Sequence, residues 1–94
     1  MILPLTTNPE ESFNVAIDEI TYGFKQLWND NEFWTLDIFD PDGVVLVYGV
    51  KIVTQEALLQ QYPQIPFDLT GLNNADPDRN NLNEFQLEVS TKSV

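Results

Sequence analysis

Alternation of apolar and polar residues on both sides of a two-residue connection constrains this chain more than any other feature. Apolar side chains recur at every second position from Phe13 to Ile17, and they then occupy even positions between Ile20 and Trp28. A period of two residues is the spacing of a β-strand with one buried face. The Asp18-Glu19 pair is short enough to be the turn of a β-hairpin, although it lacks the glycine that two-residue turns prefer.

Further strands are predicted along the rest of the chain. The predicted segments are 33–39, 44–53, 67–71 and an alternating run over 85–89. The segment 44–53 is nearly continuous in β-branched residues, which favours a strand covered on both faces. Gly49 within it indicates a bulge or the corner of a barrel.

The connections between these strands have their own patterns. Asp40-Pro41-Asp42-Gly43 predicts a tight turn, with Gly43 in the left-handed conformation. Thr54 is a good N-cap, and apolar side chains at helical spacing follow it, so the sequence predicts a helix of about two turns that ends near Tyr62. Residues 73–83, NNADPDRNNLN, predict a polar loop.

These elements predict a single domain of the mainly β class. The expected architecture is a small antiparallel β-barrel or sandwich of five to seven strands with one short helix. Within the 94 residues, residues 1–9 are expected to form an extended arm or an edge strand, because Pro4 and Pro9 exclude a central strand. Residues 10–90 are expected to form the barrel core, and residues 91–94 a frayed tail.

The charge and the missing residue types exclude several functions. Lys plus Arg number 4 against 15 Asp plus Glu, which gives a formal net charge of −11. Such a chain gains little from binding phosphates, so we expect neither nucleic acid as a specific ligand nor a membrane partner. The chain contains no Cys and no His, so thiolate chemistry and the commonest general base are absent. We therefore predict no enzyme, no catalytic residues and no cofactor.

One acidic loop has part of a calcium-binding pattern. Asp76, Asp78 and Asn80 follow a D-x-D-x-N spacing that is typical of the first half of a calcium loop. The pattern fails at Asn81, where glycine is needed, and at Leu87, where a bidentate Glu is needed. A solvated loop explains the same residues, so no metal site is predicted.

The aromatic content favours contact with other proteins. Eleven of the 94 residues are Phe, Trp or Tyr, more than a thin core easily covers, and aromatic residues are enriched where proteins bind one another. An alternative hypothesis is a small carbohydrate- or calcium-binding β module that uses Trp34, Asp40 and Asp76.

The order of several short motifs resembles one known family. A strand over Tyr22–Trp28 ends in W-N, the segment Trp34–Asp40 has the form W-x-L-D-I-F-D, and Asp42-Gly43 precedes a strand that contains Gly49. In this order they resemble the baseplate plug proteins of cyanophage-type contractile tails. The resemblance extends from Leu3 to Val89.

The resemblance implies a structural protein of the virion. It implies a small β-barrel in the central tail baseplate, made in the host cytoplasm, that plugs or completes the hub or the end of the tube. Its expected partners are baseplate hub, spike or tail-tube proteins, in a symmetric multi-copy assembly. The resemblance implies no catalytic residues.

Two segments are predicted to contact partners. They are the arm, which can add to a neighbour's sheet edge, and the polar loop 73–83. The candidate contact residues are Ile2, Leu3 and Leu5 in the arm and Asp76, Asp78 and Arg79 in the loop. Deleting residues 1–9 is expected to abolish incorporation into baseplates while leaving the barrel folded.

Overall fold

Six antiparallel strands form two sheets in the computed structural model, which describes residues 1–92. The strands are β1 (Glu10–Ile17), β2 (Ile20–Asn29), β3 (Phe33–Phe39), β4 (Val45–Lys51), β5 (Phe67–Gly71) and β6 (Leu87–Thr91), with a 3₁₀ helix at Leu82–Glu84. The first four strands form one sheet in chain order, and β5 pairs with β6 in the second. The prediction of a mainly β, antiparallel fold is confirmed, and the sheets of residues 1–92 do not close into a barrel.

The predicted hairpin is present, and its turn has an unfavourable backbone conformation. Ile17 lies opposite Ile20, so Asp18 and Glu19 alone form the connection between β1 and β2. Both turn residues have positive φ angles, 52° for Asp18 and 69° for Glu19. Positive φ at both central positions defines a type I′ turn, whose twist matches that of the flanking strands.

A single hydrophobic core joins the two sheets. The even-numbered residues from Tyr22 onwards in β2, and those of β3, face this core, where Trp34, Leu36 and Ile38 are fully buried. Phe67 of β5 packs against the rings of Tyr22 and Phe24 across the sheets, at centroid distances of 4.9 and 6.1 Å. The alternation in the sequence therefore selects the face of the large sheet that the small sheet covers.

The prediction that strand 44–53 is covered on both faces is wrong. β4 is the last strand of the large sheet, and Tyr48 within it is 67% exposed. The predicted bulge is present, because the register with β3 shifts between the Leu36 and Ile38 pairs. Gly49 takes a φ of 68° there, and its N–H donates to Asp37 Oδ1 at 2.8 Å.

The segment after β4 does not form the predicted helix over 54–62. Gln55 has a φ of 58°, which interrupts any helix at its first turn. The N–H groups of Gln55 and Leu58 instead donate to carbonyls of β5, at Gly71 and Leu69. Pairing with a sheet edge thus replaces intrahelical bonds, because a two-turn helix gains too little from propensity to compete.

The first residues of the chain pair with β6. Leu3 N–H donates to Leu87 O at 3.0 Å, and Val89 N–H donates to Met1 O at 2.8 Å. The side chains of Leu3 and Leu5 are buried in the core. Residues 1–3 therefore pair with the edge of the small sheet. Deleting residues 1–9 would remove the buried side chains of Leu3 and Leu5 from the core, so the structure leads us to expect that this truncation destabilises the fold.

A buried glutamine binds the next part of the N-terminal segment to the large sheet. Gln26 of β2 is 0% exposed. Its Oε1 accepts from Thr6 N–H at 3.0 Å. Its Nε2 donates to the carbonyls of Thr6 and Asn8 at 3.0 and 2.7 Å. These side-chain hydrogen bonds take the place of backbone bonds between strands. They hold the residues that lie between the pairing of residues 1–3 with β6 and the start of β1.

The last strand runs further along the chain than predicted. β6 spans Leu87–Thr91, whereas Phe85 precedes it and packs in the core. Lys92 Nζ donates to the carbonyls of Leu59 and Tyr62 at 2.7 and 2.8 Å. Thr91 and Lys92 are therefore bonded and not frayed, and the rest of the predicted tail, 93–94, lies outside the described residues.

Replacing Asp18-Glu19 by Asn-Gly is expected to stabilise the protein. A non-glycine residue at positive φ costs about 1 kcal/mol or more, and Asn-Gly is the preferred type I′ pair. We expect the free energy of unfolding in urea to rise by about 1 kcal/mol. The control Asn31→Gly, at a turn residue without positive φ, should give no increase. An unchanged midpoint for the Asn-Gly variant would contradict the turn assignment.

Gln26→Ala is expected to destabilise the fold strongly. The substitution removes the side-chain partner of Thr6 and Asn8 in a partly buried site, where each unpaired backbone group costs up to about 1–3 kcal/mol. It also leaves a cavity where the fully buried side chain packs. We expect a loss of about 2–4 kcal/mol in the free energy of unfolding, measured by urea denaturation. Gln86→Ala, at an exposed position, should change it by less than about 0.5 kcal/mol. Similar values for both variants would rule out the proposed role of Gln26.

Candidate protein-interaction surface

The polar loop 73–83 is held in place by hydrogen bonds to the sheets. Asp76 Oδ1 accepts from Thr54 N–H at 2.8 Å. Trp34 Nε1, which projects from β3, donates to Asp78 O at 2.7 Å. Asp78 Oδ1 accepts from Asn80 N–H at 3.0 Å within the loop. The loop thus presents its acidic residues on a fixed backbone.

The loop and the N-terminal segment lie side by side. Arg79 NH1 donates to Thr7 O at 2.9 Å, and its guanidinium lies 5.8 Å from the centroid of the Trp34 ring. A shallow groove beside this contact is lined by Trp28, Glu32 and residues 77–80. The structure therefore brings together the two segments that the sequence predicts as partner contacts.

The predicted contact residues differ in their accessibility. Ile2 is 40% exposed, and Asp76 and Asp78 are exposed on the loop. Leu3 and Leu5 lie in the chain's own core, where a partner cannot reach them in this conformation. Their apolar character reflects packing against β6 and the large sheet.

The residues of the alternative binding module do not form a ligand site. Trp34 is fully buried, so its ring cannot stack on a sugar. Asp40 Oδ1 accepts from the N–H groups of Asp42 and Val44, both at 2.9 Å, within the predicted turn. Residues 1–92 contain no group of three or more acidic, His or Cys side chains placed to hold a metal ion.

The sequence interpretation missed a second exposed surface, at the edge of the large sheet. Tyr48 is 67% exposed and Val44 59% exposed, and the ring of Tyr48 packs edge-on against Phe39 at 6.4 Å. The signal was available in the sequence: tyrosine, glycine and lysine interrupt the apolar run 44–53 in its second half. A strand buried on both faces rarely includes such residues.

The N-terminal segment also lowers the pKa of the Glu11 carboxyl. Glu11 Oε2 accepts from Thr6 Oγ1 at 2.5 Å, and Oε1 accepts from Asn8 Nδ2 at 2.8 Å. Both hydrogen bonds favour the ionised form, so they hold the pKa of Glu11 below its ordinary value of 4.5, with Thr6 the larger cause. The charged form of Glu11 therefore helps to order residues 6–8.

The fold and its surfaces define a small acidic β-sheet protein with one apolar sheet edge, a feature through which proteins bind one another. In residues 1–92, no helix has the length and apolar character needed to cross a membrane. A family model described as cyanophage baseplate Pam3 plug gp18 matches residues 1–91. The chain belongs to this family of baseplate plugs. No curated protein matches it significantly.

Family membership gives the chain a structural role in the phage tail. The family is a component of the cyanophage baseplate, which lies in the virion tail. The resemblance that the sequence motifs indicated is confirmed over nearly the whole chain. Membership of this family implies that the chain interacts with other baseplate proteins.

Thr6→Val is expected to raise the pKa of Glu11 towards its ordinary value. Because the pKa is depressed in the folded state, the stability that Glu11 contributes is present above its ordinary pKa and is lost as pH falls through the folded value. Thr6→Val should therefore reduce the loss of stability at acidic pH. The measurement is an NMR titration of the Glu11 carboxyl, with Thr7→Val as the control that leaves it unchanged. An identical midpoint in Thr6→Val and the unmodified chain would contradict this assignment.

Proposed function

We propose that this protein plugs or completes the central hub or tube end of a contractile-tail baseplate through protein–protein contacts, without catalysing a reaction. The observation that supports the proposal is the family match over residues 1–91. The partners would be baseplate hub, spike or tail-tube proteins, arranged around the tail axis in a symmetric multi-copy assembly. The protein would be made in the host cytoplasm and assembled there.

The charge of the chain fits a position beside a conduit for DNA. With a net charge of −11, the protein repels phosphates and gains nothing from the counterion release that drives binding to DNA. We therefore propose that it binds no nucleic acid specifically. A plug of this kind would block the conduit without retaining the genome.

Contacts with partners are proposed for the exposed residues near the N-terminus and for the polar loop. Ile2 offers an exposed apolar side chain next to β6. Asp76, Asp78 and Arg79 lie on a loop with a fixed backbone, so little conformational entropy would be lost when a partner binds it. Leu3 and Leu5 would contribute indirectly, since their burial holds Ile2 in position.

Complex formation with neighbouring gene products tests the proposal. We expect the purified chain to elute with a hub, spike or tail-tube protein encoded beside it, as measured by size-exclusion chromatography with light scattering. Ile2→Asp should weaken that complex because it introduces a charge into an apolar contact. Leu72→Asp, at a similarly exposed apolar residue (47% against 40%), is the matched control.

Two results would contradict the baseplate role or the contact at Ile2. A chain that elutes as a monomer in the presence of every one of these proteins would contradict the baseplate role. Equal weakening by Ile2→Asp and Leu72→Asp would leave the role standing and remove Ile2 from the contact surface.

A further inference from the structure

The two sheets differ in whether their edges are covered by other segments of the chain. Both edges of the small sheet are covered, since residues 1–3 pair with β6 and residues 54–58 pair with β5. The large sheet ends in β1 on one side and β4 on the other. β1 begins with Glu10-Glu11 and is followed by Asp18-Glu19, and charged residues on an edge strand discourage pairing with other chains.

β4 has fewer charged residues at its edge. Its sequence VLVYGVK contains one charged residue, Lys51. No segment of residues 1–92 forms a backbone hydrogen bond to the side of β4 that faces away from β3. An apolar edge strand with free backbone groups is a template for the addition of another strand.

The ladder with β3 identifies backbone groups that are free to pair. Ile52 N–H donates to Trp34 O at 2.9 Å, and Lys51 lies opposite Thr35. Residues of an antiparallel strand alternate between bonded and non-bonded pairs. The N–H and C=O of Lys51 therefore point away from β3, towards the open side of the sheet.

A groove lies next to these groups and has partly apolar walls. Its volume is about 470 Å³. One side is lined by Gly49, Val50, Lys51 and Val53. The other is lined by residues 56–58 and 60–62, which include the half-buried Leu58 and Tyr62. Such a groove can receive the alternate side chains of a strand that pairs with β4, and these side chains would supply specificity.

We propose that the outer edge of β4 accepts an extended segment of a neighbouring baseplate protein as a fifth strand, and that this segment is neutral or basic. The inference rests on the proposed baseplate function. The net charge of −11 favours such a segment over an acidic one and over a second copy of this chain.

Amide hydrogen exchange tests the pairing directly. We expect the Lys51 amide to exchange at least tenfold more slowly in the complex with the hub, spike or tail-tube protein than in the free chain. Amides of β1 should exchange at unchanged rates, because that edge stays open. A complex in which the β4 amides exchange as in the free chain would overturn the inference and leave the baseplate function intact. Failure to form any complex would overturn both.

A surface substitution provides the second test. Tyr48→Asp should weaken the complex at least tenfold, whereas Ile20→Asp, at an exposed residue by the opposite edge (44% exposed), should leave it unchanged. Val44→Asp replaces Tyr48→Asp if circular dichroism shows that the first variant is unfolded. Equal affinities for the edge variant and the control would refute the proposal. So would a concentration-dependent dimer of the free chain that Tyr48→Asp dissociates, because a second copy would then be the occupant.

Discussion

The buried amide of Gln26 is the interaction on which the arrangement of the two sheets depends. Residues 1–3 pair with β6 of the small sheet, and Thr6 and Asn8 bond to Gln26 in the large sheet. One short segment thus connects both sheets before the first strand begins. The amide supplies both a donor and an acceptor without a charge that burial would penalise.

The sequence predicts the hairpin and the buried face of the large sheet because both follow from a local period of two residues. The bonding role of Gln26 follows less directly from the sequence. Gln26 falls on the same even positions as Tyr22 and Phe24, so a polar residue is directed into the core and needs buried partners. Those partners lie about twenty residues earlier in the chain, in a proline-rich segment without periodicity. Their position depends on tertiary pairing, which a local pattern does not encode.

Two of the incorrect predictions have a common cause. A helix over 54–62 and a fully covered strand over 44–53 are both inferred from intrinsic preferences of residues in short windows. In the structure, the N–H groups of residues 55 and 58 donate to carbonyls at the edge of β5, so the helix does not form. The same segment then lies across a groove from β4 instead of covering it. A single change in the path of the chain therefore both eliminates the helix and leaves β4 exposed.

The N-terminal segment completes a sheet of its own chain. A short extended segment can complete a sheet of its own chain or a sheet of a neighbour, and here the burial of Leu3 and Leu5 favours the former. Both edges of the small sheet are covered, whereas the large sheet keeps one apolar edge that no residue from 1 to 92 covers. If β4 pairs with a neighbouring protein as proposed above, this distribution of edges makes the chain the acceptor of a strand and not its donor. The net charge of −11 then favours a neutral or basic strand, because it repels an acidic one.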